Sequence, residues 1–266
     1  MKIATWNVNS VRTRLQHVTD WLQANSVDVL CLQETKVMDD SFPRAAFEDI
    51  GYQPYISGQK SYNGVAMLSQ KPLESVTCGF APIVGDEVAG DLDDQKRAIA
   101  GVLGDIQIIN VYVPNGSSIG SDKYAYKMRW FQVLGEYLKI LLDQSPNLLI
   151  CGDFNIAFED KDIYNPDGKD QHIMASSQER EALQKNVLGL GLADAFRKFT
   201  DGGGYFSWWD YRAGSFQRNR GWRIDHHYLS PALYERATSC VIDIAPREQT
   251  KPSDHTPVIV EIEDQA

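Results

Sequence analysis

Sulfur is scarce in this chain. It has four cysteines in 266 residues, Cys31, Cys78, Cys151 and Cys240, all far apart and with no Cys-x-x-Cys pair. Three of them sit in apolar, strand-like runs, so buried, reduced thiols are expected rather than disulfides or a thiolate zinc site. That usage points to a cytoplasmic location. Long apolar runs are also missing, and no stretch approaches the roughly 18 residues that a membrane span needs. The opening "MKIATWNVNS" lacks a charged leader followed by an apolar core, which predicts no signal or transit peptide. Positive charge is not in excess. The formal charge of −10 counts mildly against a nucleic-acid partner, although net charge is not local field. Low-complexity tracts and Pro- or Ser-rich linkers are absent as well, so one domain over residues 1–266 is expected, with monomer as the default state.

What is present is a soluble, globular composition, 43% apolar and 23% charged, in a chain long enough to bury a core without staples. Strand-like segments recur: "KIATWN", "DVLCLQ", "GVAMLS", "RAIAGVL", "IQIINVYV", "NLLICGDF", "YFSWW", "RIDHHYL", "TSCVIDI" and "PVIVEI". Val11, Leu15, Val18 and Leu22 have helical spacing, as do Trp130, Leu134, Tyr137 or Leu138, and Leu141. Ser176 and Glu179 have the spacing of a capping box for a third helix, with Leu183, Val187 and Leu190 on its apolar face. "SQKPLES" reads as a hairpin connection. Strands outnumber helices, and the regular alternation of a purely parallel sheet is missing. The fold class expected is α/β (α+β), with mixed sheets packed face to face and helices outside.

The strand ends are unusually polar. Asn7 closes the first strand and Glu34 the second. Tyr112 lies near the end of "INVYVP". Asp153 and Asn155 close "LLICGDFN", Asp225 lies in "GWRIDHHY", and Asp254 and His255 open the last strand. Each alone reads as turn chemistry, a solvated acid or a core tyrosine. Together, and beside runs that must be buried, they are too many for that. An isolated charge there is costly unless it is paired or metal-bound. If these ends share one rim, several carboxylates converge and require a cation. Carboxylate and amide oxygens without cysteine suit Mg²⁺, or Mn²⁺ as a substitute, and fit phosphoester cleavage.

Between Asp210 and Arg223, "DYRAGSFQRNRGWR" holds four arginines and one acid, and the overlapping stretch from Tyr205 to Trp222 is rich in aromatic residues, Trp208 and Trp222 among them. Arg212, Arg218 and Arg220 suit a phosphate-tracking surface, and Lys123, Lys127 and Arg129 suggest a second basic patch. The alternative for this stretch is core aromatics under a solvated basic loop.

Seven segments, "TWNVNS", "LQETK", "NGVAMLS", "NVYVPNG", "GDFNIA", "GWRID" and "PSDHTPV", together resemble the exonuclease III and apurinic/apyrimidinic endonuclease family over about Lys2 to Ile262. The resemblance implies a four-layer α/β sandwich, two sheets between outer helices, and a Mg²⁺-dependent DNA repair nuclease. Such an enzyme would cut double-stranded DNA 5′ of abasic sites or trim its 3′ ends. Glu34 then corresponds to the principal metal ligand, with Asn7 beside it and Asp254 supporting the metal side. Asp153 would orient or deprotonate the attacking water, Asn155 would help to hold it, and Tyr112 would contact the scissile phosphate. His255 would stabilise charge on phosphorus. In an extended segment Asp254 and His255 point to opposite faces, so Asp225 is the better partner for the imidazole. Trp208 and Trp222 match positions that line a pocket for an extruded sugar or 3′ end. Met174, in the unassigned loop 157–177, is a candidate for narrowing that pocket in favour of 3′ ends.

Three rivals remain at this point. One is a phosphatase of the same superfamily acting on a small molecule or lipid. Another is a DNA-binding module without catalysis. The third is a serine hydrolase using Ser118 in "GSSIG", although Pro114 and Asn115 interrupt the strand that a nucleophile elbow needs.

Overall fold

The computed structural model describes residues 1–264. Twelve strands are found among the described residues: β1 (Lys2–Asn7), β2 (Val29–Gln33), β3 (Gln53–Ser57), β4 (Val65–Ser69), β5 (Glu74–Cys78), β6 (Ala98–Leu103), β7 (Ile106–Tyr112), β8 (Leu148–Asp153), β9 (Ala193–Asp194), β10 (Asp225–Leu229), β11 (Ala237–Ile242) and β12 (Val258–Ile262). The α-helices are α1 (Leu15–Asn25), α2 (Arg44–Glu48), α3 (Ala81–Val84), α4 (Asp86–Ala89), α5 (Asp122–Gln144), α6 (Ser177–Asn186), α7 (Ala195–Phe199) and α8 (Pro231–Arg236). The strands form two six-stranded mixed sheets, ordered β11-β12-β1-β2-β4-β3 and β5-β6-β7-β8-β10-β9. In each sheet one central pair is parallel, β1 with β2 and β7 with β8. A parallel pair needs a crossover, and α1 and α5 supply the two.

Strand alternation builds the layers. Ile3, Val29, Cys31, Met67, Ile108, Leu149 and Val260 fill the space between the sheets. Their neighbours point outward: Ala4, Trp6, Leu30 and Leu32 pack with Val18, Trp21 and Leu22 of α1. On the other sheet Ile109, Val111 and Ile150 pack with Trp130, Leu134 and Leu138 of α5 and Leu183 of α6. This is the α/β sandwich expected, with two mixed sheets face to face and helices outside.

Several local expectations are corrected. "SQKPLES" is not a hairpin, because β4 and β5 belong to different sheets and this segment crosses between them. "YFSWW" forms no strand; Trp208 makes only isolated bridges to Trp222 and His255. Helix α1 begins at Leu15, so Val11 lies before it. Helix α6 begins at Ser177 behind the expected Ser176–Glu179 capping box, but Val187 is its C-cap and Leu190 lies in a following 3₁₀ turn. Cys31, Cys151 and Cys240 are buried, whereas Cys78, on the edge strand β5, is exposed; all four are free.

Candidate active site

The inward face of each central strand becomes polar towards one rim. β1 presents Ile3, Thr5 and Asn7; β2 presents Val29, Cys31 and Gln33; β8 presents Leu149, Cys151 and Asp153. β7 ends in Asn110 and Tyr112 on the same face. β10 runs antiparallel to β8, so its first residue, Asp225, sits opposite Asp153. A floor of amides closes the bottom of the site. Gln33 Nε2 donates to Asn110 Oδ1 across the two sheets (2.7 Å), and Asn110 Nδ2 donates to Leu32 O and Ala66 O. Gly152 explains the "GDFN" glycine, since a Cβ there would lie 1.9 Å from Val111 O. Glu34 and Asn155, just past β2 and β8, hold left-handed backbones with φ of 52° and 49°. Such conformations in non-glycine residues cost energy and persist where the surroundings impose them.

Glu34, Asp153 and His255 come together, each offering a ligand atom within 4.8 Å of the others. Asn7 Nδ2 sits between the two carboxylates, donating to Glu34 Oε1 (2.8 Å) and Asp153 Oδ2 (2.9 Å). Lys36 Nζ contacts Glu34 Oε2 (2.7 Å) and donates to Asn9 Oδ1 (2.6 Å). His255 Nδ1 faces Asp225 Oδ2 at 2.9 Å, and its Nε2 lies 3.7 Å from Asp153 Oδ2. Ser207 Oγ donates to the same Asp225 oxygen (2.7 Å). Burial opposes a charge on His255, but Asp225, Asp153 and Asp254 outweigh it and push the imidazole up to about 10. Burial pushes the Asp153 carboxyl up to about 7, with His255 pulling the other way and Asp225 adding to the rise. Burial, then Glu34 and Asp153, hold the Tyr112 phenol well above its usual range, so it remains a donor at neutral pH. The Arg97 guanidinium stacks 4.6 Å above the Tyr112 ring.

The donor set fits a hard divalent cation. Two carboxylates are in reach of one point, no thiol is among them, and like charges this close call for positive charge. Asn7 turns its Nδ2 to both carboxylates and its Oδ1 to the Asn9 N–H (3.0 Å), so it steadies the pair rather than presenting an oxygen ligand. The imidazole is a poor ligand, because one ring nitrogen is tied to Asp225 and the ring holds its proton.

The sequence profile of the Endonuclease/Exonuclease/phosphatase family matches residues 4–255. The chain belongs to that family. Exodeoxyribonuclease III of Haemophilus influenzae is 34% identical over 272 residues, covering 98% of this chain and 99% of its own. A Neisseria 3′ phosphatase, NExo, solved with a product DNA hairpin, is similar with a TM-score of 0.93 and 40% identity over 99% of both chains. An AP endonuclease from Archaeoglobus fulgidus gives a TM-score of 0.92 and 40% identity, covering 99% of this chain and 100% of that one.

In this member of the family the other expected residues divide. Asn155 donates its N–H to Asp153 Oδ1 (2.8 Å), and its side chain bridges Val113 O and Asn115. Asp254 stands one hydrogen bond back. Its oxygens accept from Asn9 Nδ2 (3.0 Å) and Trp208 Nε1 (3.1 Å), so it reaches Glu34 only through Asn9 and Lys36. Trp208, Trp222 and Met174 meet as one apolar wall over Ala157, Ile163, Ala175 and Ile224. The two indoles are edge-to-face with centroids 6.5 Å apart. Arg212, Arg218, Arg220 and Lys123 are exposed, and Arg220 lies over Tyr164. Lys127 is a correction: it is fully buried and paired with Glu179 at 2.5 Å, and cannot belong to a surface patch. Arg223 is likewise buried, with Asp162 and Asp194 as partners. Ser118 lies in an exposed loop, and the imidazole faces Asp225 and Asp153, so the serine-hydrolase reading has no base to use.

Sequence reasoning missed Asn9, Lys36 and Ser207, although the first two lie inside the quoted motifs "TWNVNS" and "LQETK". It also missed a depression of about 690 Å³ beside Tyr112, lined by Tyr62, Arg97, Asn115, Lys123 and Tyr126 among others. Its residues come from separate loops, the end of β7 and the start of α5, and no single segment signals it.

Proposed function

We propose that this protein is a Mg²⁺-dependent DNA repair nuclease acting on duplexes with abasic sites or 3′ ends. The observation that carries this reading is the meeting of Glu34, Asp153, Asn7 and the Asp225–His255 pair at one rim. Glu34 would hold the ion with Asp153 nearby and Asn7 bridging the two carboxylates, and Mg²⁺ there would polarise a phosphoryl oxygen and stabilise the departing oxygen. Asp153, with a carboxyl near neutrality, takes a proton from the water that attacks phosphorus. The new P–O bond forms as the bond to the 3′ oxygen breaks. His255, protonated and held by Asp225, donates to a phosphoryl oxygen as charge develops. The Tyr112 phenol supports the same phosphate. Arg212, Arg218, Arg220 and Lys123 supply backbone contacts, and the Tyr62–Arg97 depression extends that surface beyond Tyr112.

The wall of Met174, Trp208 and Trp222 forms one side of the space for an extruded sugar. Met174 narrows it, which favours 3′ ends over internal abasic sites. The test uses labelled duplexes carrying an abasic site, a 3′ phosphate or an intact recessed end, with and without Mg²⁺. Cleavage is expected with the metal and not in EDTA. Inertness on all three duplexes, or full activity in EDTA, would sink the reading. Much faster internal incision would sink the Met174 assignment alone.

A further inference from the structure

The buried Lys127–Glu179 pair has no part in the chemistry above, yet burying two charges is costly and an apolar pair of similar volume would fill the space. Its contacts show what an apolar pair could not do. Lys127 Nζ donates to Glu179 Oε1 (2.5 Å), Asn155 O (2.9 Å) and Asn115 O (3.2 Å), which uses all three of its N–H groups. Glu179 Oε1 accepts the Met174 N–H (3.0 Å), and Oε2 accepts from Ser176 N (3.1 Å) and Ser176 Oγ (2.6 Å). One ion pair therefore grips three segments: the turn after β8, the loop after β7, and the loop that delivers Met174.

Two of those grips fall on strained backbone. Asn155 and Met174 are non-glycine residues with φ of 49° and 68°. Asn155 also donates its N–H to Asp153 Oδ1, so the residue that Lys127 holds by its carbonyl orients the general base by its amide. The Lys127 stem passes close to Gly116, where a Cβ would lie 3.1 Å from Lys127 Cδ, which couples the β7 loop to the same side chain.

We infer that Lys127 and Glu179 are positioning residues: their ion pair locks the Asp153–Asn155 turn and Met174 into one register, setting both rate and substrate preference without contacting the substrate. The inference rests on the nuclease reading for its substrates. The test compares Lys127→Met and Glu179→Gln with the parent protein and with Tyr124→Phe. That last variant removes only a hydroxyl on Ser176 at the outer edge of the cluster (2.7 Å). Values of kcat and KM are measured on an abasic duplex and a 3′-phosphate duplex, below each protein's Tm. Both pair variants are expected to lose about 10- to 100-fold in kcat, with KM changed by no more than about threefold. Glu179→Gln, which leaves one oxygen where two serve Lys127, Met174 and Ser176, should also change the ratio of rates on the two duplexes by more than about threefold. Tyr124→Phe should move Tm alone. If Lys127→Met does not fold, Glu179→Gln decides the matter, because it preserves volume. Folded pair variants with parental kcat and parental substrate ratio would overturn the inference. A parent protein that cuts neither duplex would instead overturn the nuclease reading.

Discussion

Replacing Asp225 with Asn should release the proton that His255 holds through the neutral range. The carboxylate lies 2.9 Å from the imidazole in a buried position. At an effective dielectric constant of about 20, unit charges at that distance attract by about 6 kcal/mol. The rise of His255 from 6.5 to about 10 corresponds to about 5 kcal/mol, net of burial. Without Asp225 the imidazolium is then about 1 kcal/mol less favourable than in water, and its midpoint falls to about 6. Asn can keep its oxygen on His255 and Ser207, placing Nδ2 where Asp225 Oδ1 has no hydrogen-bond partner among the described residues. The substitution should therefore remove charge with little change of shape.

The direct assay is an NMR titration of the His255 ring in metal-free protein. The parent should stay protonated beyond about pH 8, and the variant should titrate near 6. Hydrolysis should follow, with the variant losing more activity relative to the parent as pH rises from about 6 to 9. Stability carries the opposite end of the same linkage. A folded-state pKa above the unfolded value stabilises the fold fully below 6.5, and that contribution is lost as pH rises through about 10. The stability gap between parent and variant should thus be widest below pH 6.5 and close in alkali. A variant ring that still titrates above about 9, or a rate ratio flat with pH, would refute the reasoning.

Asp153→Asn should lower single-turnover cleavage by at least about 10³-fold while leaving duplex affinity, read by fluorescence anisotropy, within about threefold; unchanged cleavage would reject the base assignment. Its melting temperature should match or exceed the parent's at neutral pH. Asp153 is raised from 3.8 to about 7, so its ionisation weakens the fold increasingly over that window, and the variant's advantage should vanish below 3.8. Removing the exposed Arg212, Arg218 and Arg220 together should reduce the slope of log affinity against log salt by about 2 to 3; an unaltered slope would place the DNA elsewhere.

Legibility followed burial. The central strands were readable because both faces are apolar, and their polar ends stood out against that background, as at Asn7, Glu34 and Asp153. The strands that escaped notice, β3, β5 and β9, are all sheet edges. β3 carries Pro54, β5 is largely exposed, and β9 has two residues. "YFSWW" erred in the other direction, because aromatic density suggested a strand where Phe206 and Trp209 serve a loop core and Trp208 serves the site wall.

Lys127 shows how helical spacing and charge can point in opposite directions. It lies on the buried stripe of α5, three residues after Tyr124 and four before Phe131, with Leu134 a further turn on. The spacing places it inside, whereas grouping it with Lys123 and Arg129 as a basic patch rests on charge alone. The better inference from a charge at an apolar-stripe position is a partner elsewhere in the chain, since an unpaired buried ammonium is not tolerated. Glu179, the capping-box acid of α6, is that partner, 52 residues away. Sequence alone could demand that such an acid exist, but which acid it was depended on the packing of α6 against α5. Arg223 follows the same rule: one of the four arginines of the basic stretch, it is held by Asp162 and Asp194, which the loop 157–177 and β9 bring to it.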